Sequence, residues 1–150
     1  MATSLGTKNY SIDHAKHNES VCEYLDTPKD KHDWVITTAF YSELHYARHK
    51  IFPYNMEIRP NKRELFQTFD DYFSYYHSLY PNVNKHEAMK KLIRREIQSI
   101  ADDYDHLFSM CHTARYVDYN LGNRFSDSAK KSLAAIKNSC CTSEKTEPAN

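Results

Sequence analysis

Glycine is nearly missing from this chain, with two residues in 150. That scarcity excludes glycine-rich phosphate loops and argues against sheet-rich folds, whose tight turns need residues that tolerate positive φ. Net charge is missing too. Twenty basic and twenty acidic residues cancel, so no long-range field draws the protein to nucleic acid or to an anionic membrane, although a local basic patch stays open. No apolar run approaches the roughly 20 residues that span a bilayer, and the opening MATSLGTKNYS lacks a signal-peptide core. A cytoplasmic protein without membrane contact is therefore expected. Cys22, Cys111, Cys140 and Cys141 show neither zinc-ligand nor CxxC spacing, and reduced cysteines are the expectation.

What the chain does have is helical periodicity and tyrosine. Aromatic residues make up 13% of the chain, and twelve of them are tyrosines, which suit the rim of a helical core or a protein interface. One long stretch without Gly or Pro is Asp33 to Phe52, DWVITTAFYSELHYARHKIF. In it Ile36, Phe40, Leu44, Ala47 and Ile51 recur at steps of four, four, three and four, the signature of a core-facing helical stripe. Trp34, Thr38, Tyr41, His45 and Arg48 follow the same rhythm on an adjoining face. This is read as the central helix of a bundle. Thr27-Pro28-Lys29-Asp30 looks like its start, with Thr27 as cap and Pro28 in the first turn, and Pro53 as its stop.

Residues 1–10 read as a flexible arm, 11–139 as one helical domain and 140–150 as a polar, disordered tail. Within the domain, Ile12, Ala15, Cys22 and Leu25 sketch a first helix with Ser11 as a candidate cap. Asn61-Lys62-Arg63-Glu64 resembles a cap before Leu65, Phe69, Tyr72, Tyr76 and Leu79, a third helix ended by Pro81. Asn84-Lys85-His86-Glu87 opens a long region to about Ala114, either one helix or two parted near Ser99 to Asp103. After a corner at Gly122-Asn123-Arg124, Ser126 or Asp127 caps a last helix carrying Ala129, Leu133 and Ile136. The fold class is all-α, a four- or five-helix antiparallel bundle.

Candidate chemistry is sparse. His45 and His49, four apart, have a metal-compatible spacing, but no HExxH accompanies them and a Glu-x-x-His pair has only the aspartate analogue Asp103-x-x-His106, so no metal and no cofactor are expected. Lys85, Lys90, Lys91, Arg94 and Arg95 form a basic stripe able to meet RNA or phosphate, followed at once by acidic Asp102, Asp103 and Asp105. Sequence-specific DNA reading is disfavoured, since no helix-turn-helix turn is recognisable. Tyr72, Tyr75, Tyr76 and Tyr80 are candidate interface residues. His86 sits at a helix start, where backbone donors favour anions and a neutral imidazole, and a bundle can bring it toward His45, Arg48 or Arg115.

Several of these pieces stand in a familiar order. Asp33-Trp34, then Phe40-Tyr41-Ser42-Glu43-Leu44-His45 with Ala47, then Lys85-His86-Glu87, Tyr104-Asp105-His106-Leu107 and Ala114-Arg115-Tyr116 resemble small prokaryotic members of the HEPN superfamily, the higher eukaryotes and prokaryotes nucleotide-binding helical domains. The similarity covers roughly Asp30 to Tyr119. It implies a four- or five-helix bundle, often a homodimer. It also implies, in many members, a metal-independent ribonuclease of toxin–antitoxin, antiviral or CRISPR-associated defence systems. Those enzymes carry an arginine followed by a histidine after four to six intervening residues. None of Arg48, Arg59, Arg63, Arg94, Arg95, Arg115 or Arg124 is followed in that way here, and Met89 stands at the arginine position that follows the His86 equivalent. The resemblance therefore implies a non-catalytic or degenerate domain that binds a protein partner, a nucleotide or RNA. Two alternatives stand beside it: an endoribonuclease using His45 or His86 with Arg48 or Arg115, and an unrelated helical structural or regulatory protein.

Overall fold

A computed structural model describes residues 10–141, so the arm before Tyr10 and the tail from Thr142 onward lie outside the described residues. The described chain is predominantly α-helical, as expected. Its six α-helices are α1 (Ser11–Asp26), α2 (His32–Ile51), α3 (Phe69–Leu79), α4 (Lys85–Glu96), α5 (Ala101–Tyr116) and α6 (Asn123–Cys141), with strands β1 (Tyr54–Arg59) and β2 (Lys62–Phe66) between α2 and α3. Among the described residues no helix is long and apolar enough to cross a membrane.

Helix α2 is the axis of the molecule. Helices α1, α5 and α6 all pack on it, and every residue of the predicted stripe (Ile36, Phe40, Leu44, Ala47 and Ile51) is buried. Covered on three sides, α2 also buries Thr37, Ser42 and Glu43, which have no apolar reason to be inside. Ser42 resolves its burial by donating to the Ala15 carbonyl of α1 at 2.7 Å. Thr37 and Thr38 donate back to carbonyls one turn earlier, Asp33 and Trp34, each at 2.8 Å.

Three helix boundaries depart from the sequence reading. The Thr27–Asp30 tetrad closes α1 instead of opening α2. The Thr27 hydroxyl donates to the Glu23 carbonyl, and Lys29 takes φ +57°, so the chain turns out of the helix and α2 starts at His32. The predicted start at Asn61–Glu64 is the turn and second strand of a β-hairpin. Asn61 takes φ +64°, a left-handed conformation asparagine tolerates, and β1 pairs antiparallel with β2 from Tyr54↔Phe66 to Arg59↔Lys62. Tyr54, Met56 and Ile58 alternate with exposed neighbours, a period of two that the helical reading passed over. Helix α3 instead begins after Thr68, whose hydroxyl accepts from the Asp71 amide at 3.2 Å.

The Lys85–Ala114 region divides into two helices. Helix α4 opens with the expected Asn84 and Glu87 capping box. Ile97 then leaves helical geometry (φ −137°, ψ 59°), and one 3-10 turn, Gln98–Ile100, leads into α5. Ile93, Ile97, Ile100 and Tyr104 are buried on both sides of the break, so their apolar spacing runs through it unchanged. At the end of the described residues, α6 starts at Asn123 and extends to Cys141, with Cys140 buried. Ser126 lies inside the first turn of α6, fully buried, and its hydroxyl meets His32 Nδ1 at 3.0 Å.

The tyrosines of α3 divide between two roles. Tyr72, a candidate for an interface, is core. It is 2% exposed, with Phe66 and Tyr54 edge-on to its ring at centroid distances of 5.6 and 5.8 Å. Tyr75 and Tyr76 are half-buried against the same cluster, and only Tyr80 is exposed.

Candidate functional site

The seam proposed for His45, His86 and Arg115 separates into two places. His86 and Arg115 line one groove, and His45 and Arg48 line another cavity. The first groove, about 150 Å³, lies where α2, α4 and α5 meet. Tyr41 comes from α2, His86 from the first turn of α4, and Phe108, His112, Arg115 and Tyr116 from α5. The placement follows from helical spacing. Trp34 and Tyr41 are seven apart on α2, His112 precedes Arg115 and Tyr116 by three and four on α5, and residues so spaced share a face.

The groove is aromatic with a cationic edge. Arg115 places its guanidinium carbon 5.4 Å from the ring centroid of Trp34, a cation–π contact, and His112 and Tyr116 stand 5.2 Å apart, centroid to centroid. Phe40 and Phe108 hold the His86 ring at 6.1 and 5.3 Å. Burial among them lowers the His86 pKa, and the charges of Arg48 and Lys90 push it the same way, so the imidazole is neutral at neutral pH. Trp34 and Tyr41 remain 48% and 39% exposed, which leaves two flat rings open to a ligand.

The second cavity, about 210 Å³, is bounded by α1, α2 and the start of α3. His14 of α1 stacks on His45 at 4.9 Å, and the Arg48 guanidinium carbon lies 4.5 Å from the centroid of the Phe69 ring. The His45 pKa falls to about 4, first through burial, then through the charge of Arg48 and the neighbouring His14. Glu43 of α2 and Tyr104 of α5 lie in the interior where these two helices pack. Both are 0% exposed, and their side-chain oxygens have no hydrogen-bond partner among the described residues. Burial, followed by the negative charges of Asp103 and Asp105, raises the Glu43 pKa well above the usual carboxylate range.

No protein-family model, curated protein or solved structure matches this chain.

The fold reduces the basic stripe of α4. Lys85 is paired with Asp70 at 3.0 Å, and Arg94 with Asp105 at 2.9 Å and Asp102 at 3.4 Å. Arg95 bonds Glu96 and Tyr54, and Lys90 sits over the Phe108 ring at 3.9 Å. Among the described residues, Lys91 has no ion-pair or hydrogen-bond partner. The acidic cluster that follows the stripe folds back and neutralises it, leaving little charge to attract a long phosphate backbone. His49 and His45 do not assemble a metal site, and no group of three or more His, Cys, Asp or Glu is placed to hold a metal among the described residues.

Reasoning from sequence alone named no site role for Tyr41, His112 and Tyr116 in the groove, for Trp34 against Arg115 at its edge, or for His14 in the cavity. The signal for the rings around Arg115 was spacing on two helices, Trp34 seven before Tyr41 on α2 and His112 and Tyr116 on either side of Arg115 on α5. Glu43 carried a different signal, a carboxylate directly beside Leu44 of the predicted apolar stripe.

Proposed function

We propose that this chain is a HEPN-like helical domain that binds a nucleotide or a short single-stranded stretch of RNA in the α2–α4–α5 groove, without cleaving it. One observation carries the reading. Arg115, a cation with no carboxylate within ion-pair distance among the described residues, lies against exposed aromatic rings in a concave groove that also holds a neutral imidazole. Bases stack on such rings with little regard for sequence, at about 1–3 kcal/mol each, while the guanidinium meets a phosphate. The resemblance to small HEPN domains supports the same reading, and the missing arginine-to-histidine motif favours binding over chemistry. The endoribonuclease alternative keeps its residues, since each cavity holds one histidine and one arginine, His86 with Arg115 and His45 with Arg48.

The single tryptophan reports directly on the groove. Titrating the full chain with a nucleoside monophosphate and with short single-stranded RNA should quench Trp34 fluorescence, and Arg115→Gln should weaken binding by about tenfold, the equivalent of one charge-assisted hydrogen bond. Quenching that is absent, or that Arg115→Gln leaves intact, refutes the groove. Metal-free RNA cleavage abolished by His86→Ala would overturn the non-catalytic reading in favour of a ribonuclease.

A protein partner, including a second copy in a homodimer, is the second reading. Tyr116, Val117 and Tyr119, at 75%, 72% and 77% exposure, extend the aromatic surface past the end of α5. Tyrosine, tryptophan and arginine are the residues enriched where partners dock. Sedimentation of wild-type and Tyr116→Asp protein distinguishes this reading, since a dimer built on that surface should dissociate in the variant.

A further inference from the structure

The second cavity makes a separate case, independent of the groove. Arg48 rises from α2 into the space bounded by α1 and α3. Its Nε is buried with no acceptor, and among the described residues no carboxylate comes within ion-pair distance of its guanidinium. Arg48 is half-buried, and a guanidinium N–H taken out of water without an acceptor is costly. The Phe69 ring, 4.5 Å away, offers its face to the cation but no hydrogen-bond acceptor. The imidazoles beside it add donor capacity: His45 has a buried, unpartnered Nδ1, and exposed His14 stacks on it at 4.9 Å. The first residues of α1 and α3 also border the cavity, so two helix starts turn their positive ends toward it. One feature opposes an anion. Asp70 lines the space, but its carboxylate is held by Lys85 at 3.0 Å.

We infer that the cavity of His14, His45, Arg48 and Phe69 is a binding site for a tetrahedral oxyanion of the phosphate class. Arg48 supplies the charge and a planar pair of donors, and the stacked imidazoles supply the remaining hydrogen bonds. Free phosphate and the terminal phosphate of a larger molecule share this chemistry.

Titration of the full chain with inorganic phosphate, followed by NMR of the histidine rings, tests the assignment. Phosphate should shift the His14 and His45 resonances saturably. Arg48→Gln should weaken binding by about tenfold or more, as expected for losing a charge-assisted pair. Asp70→Asn, at an exposed position, should tighten it severalfold, a gain that no folding defect can imitate. Lys131→Gln, on the exposed face of α6, should change nothing. The assignment is overturned by any of three results: no saturable shift in wild type, equal affinity in Arg48→Gln with native circular dichroism, or weakening by Lys131→Gln as large as that by Arg48→Gln. A 5′-phosphorylated dinucleotide that displaces phosphate, where its unphosphorylated form does not, identifies a terminal phosphate as the natural group. Failure of both to displace it identifies the free anion.

Discussion

Replacing Glu43 with glutamine should change how stability depends on pH. The carboxyl is 0% exposed on the α2–α5 contact, and burial with Asp103 and Asp105 nearby raises its pKa well above the ordinary value near 4.5. The folded state therefore keeps the proton where the unfolded chain gives it up. Stability from this group is complete below the unfolded pKa and falls as pH rises toward the folded one, by about 1.4 kcal/mol per pH unit. His45 has the opposite sign. Its pKa is lowered to about 4 from 6.5, so its contribution is complete above pH 6.5 and is lost as pH falls toward 4. In the wild type the two slopes oppose each other between those limits, which hides both. Glu43→Gln keeps the shape and removes the titration. The difference in unfolding free energy between variant and wild type should then grow by about 1.4 kcal/mol for each pH unit from about pH 5 to pH 6, or roughly 3–6 °C in Tm. Urea melts of both proteins at half-unit pH intervals measure it. A difference that stays constant over that range would refute the claim that Glu43 is held protonated.

Other substitutions test the packing. Tyr72→Ala should cost about 3–5 kcal/mol in chemical denaturation, as large aromatic truncations in a core do, whereas Tyr80→Ala should stay within about 0.5 kcal/mol. Thr68→Ala removes the cap of α3 and should cost about 0.5–2 kcal/mol, while Thr27→Ala, which loses only an exposed hydroxyl bond to the Glu23 carbonyl, should cost less. Arg115→Gln should move nucleotide-dependent quenching of Trp34 to about tenfold higher concentration without moving the melting temperature by more than about 2 °C, because its guanidinium is a rim contact.

How much could be read ahead of the fold depended on whether a feature was local or relational. The α2 stripe was legible because a helix buried on one face repeats its apolar residues at 3.6, and the Asn84–Glu87 box was legible because both partners lie within one turn. The hairpin was not, since Asn61-Lys62-Arg63-Glu64 satisfies the chemistry of a helix start and of a left-handed turn equally well. Tyr54, Met56 and Ile58 carried the period of two that decides between them. The break at Ile97 was illegible for a different reason: the apolar spacing continues through it.

By itself the sequence determined an α-helical chain built on Asp33 to Phe52, with His86 at a helix start and Arg115 near a helix end. Those features follow from backbone periodicity and capping, which act over a turn or two. Only the tertiary structure decided that His86 joins Arg115 in an aromatic groove while His45 joins Arg48 elsewhere, and that the acids after α4 neutralise its basic stripe. It likewise decided that Glu43 is entombed. Burial and charge pairing depend on which helices share a surface, and that is a property of the packed chain.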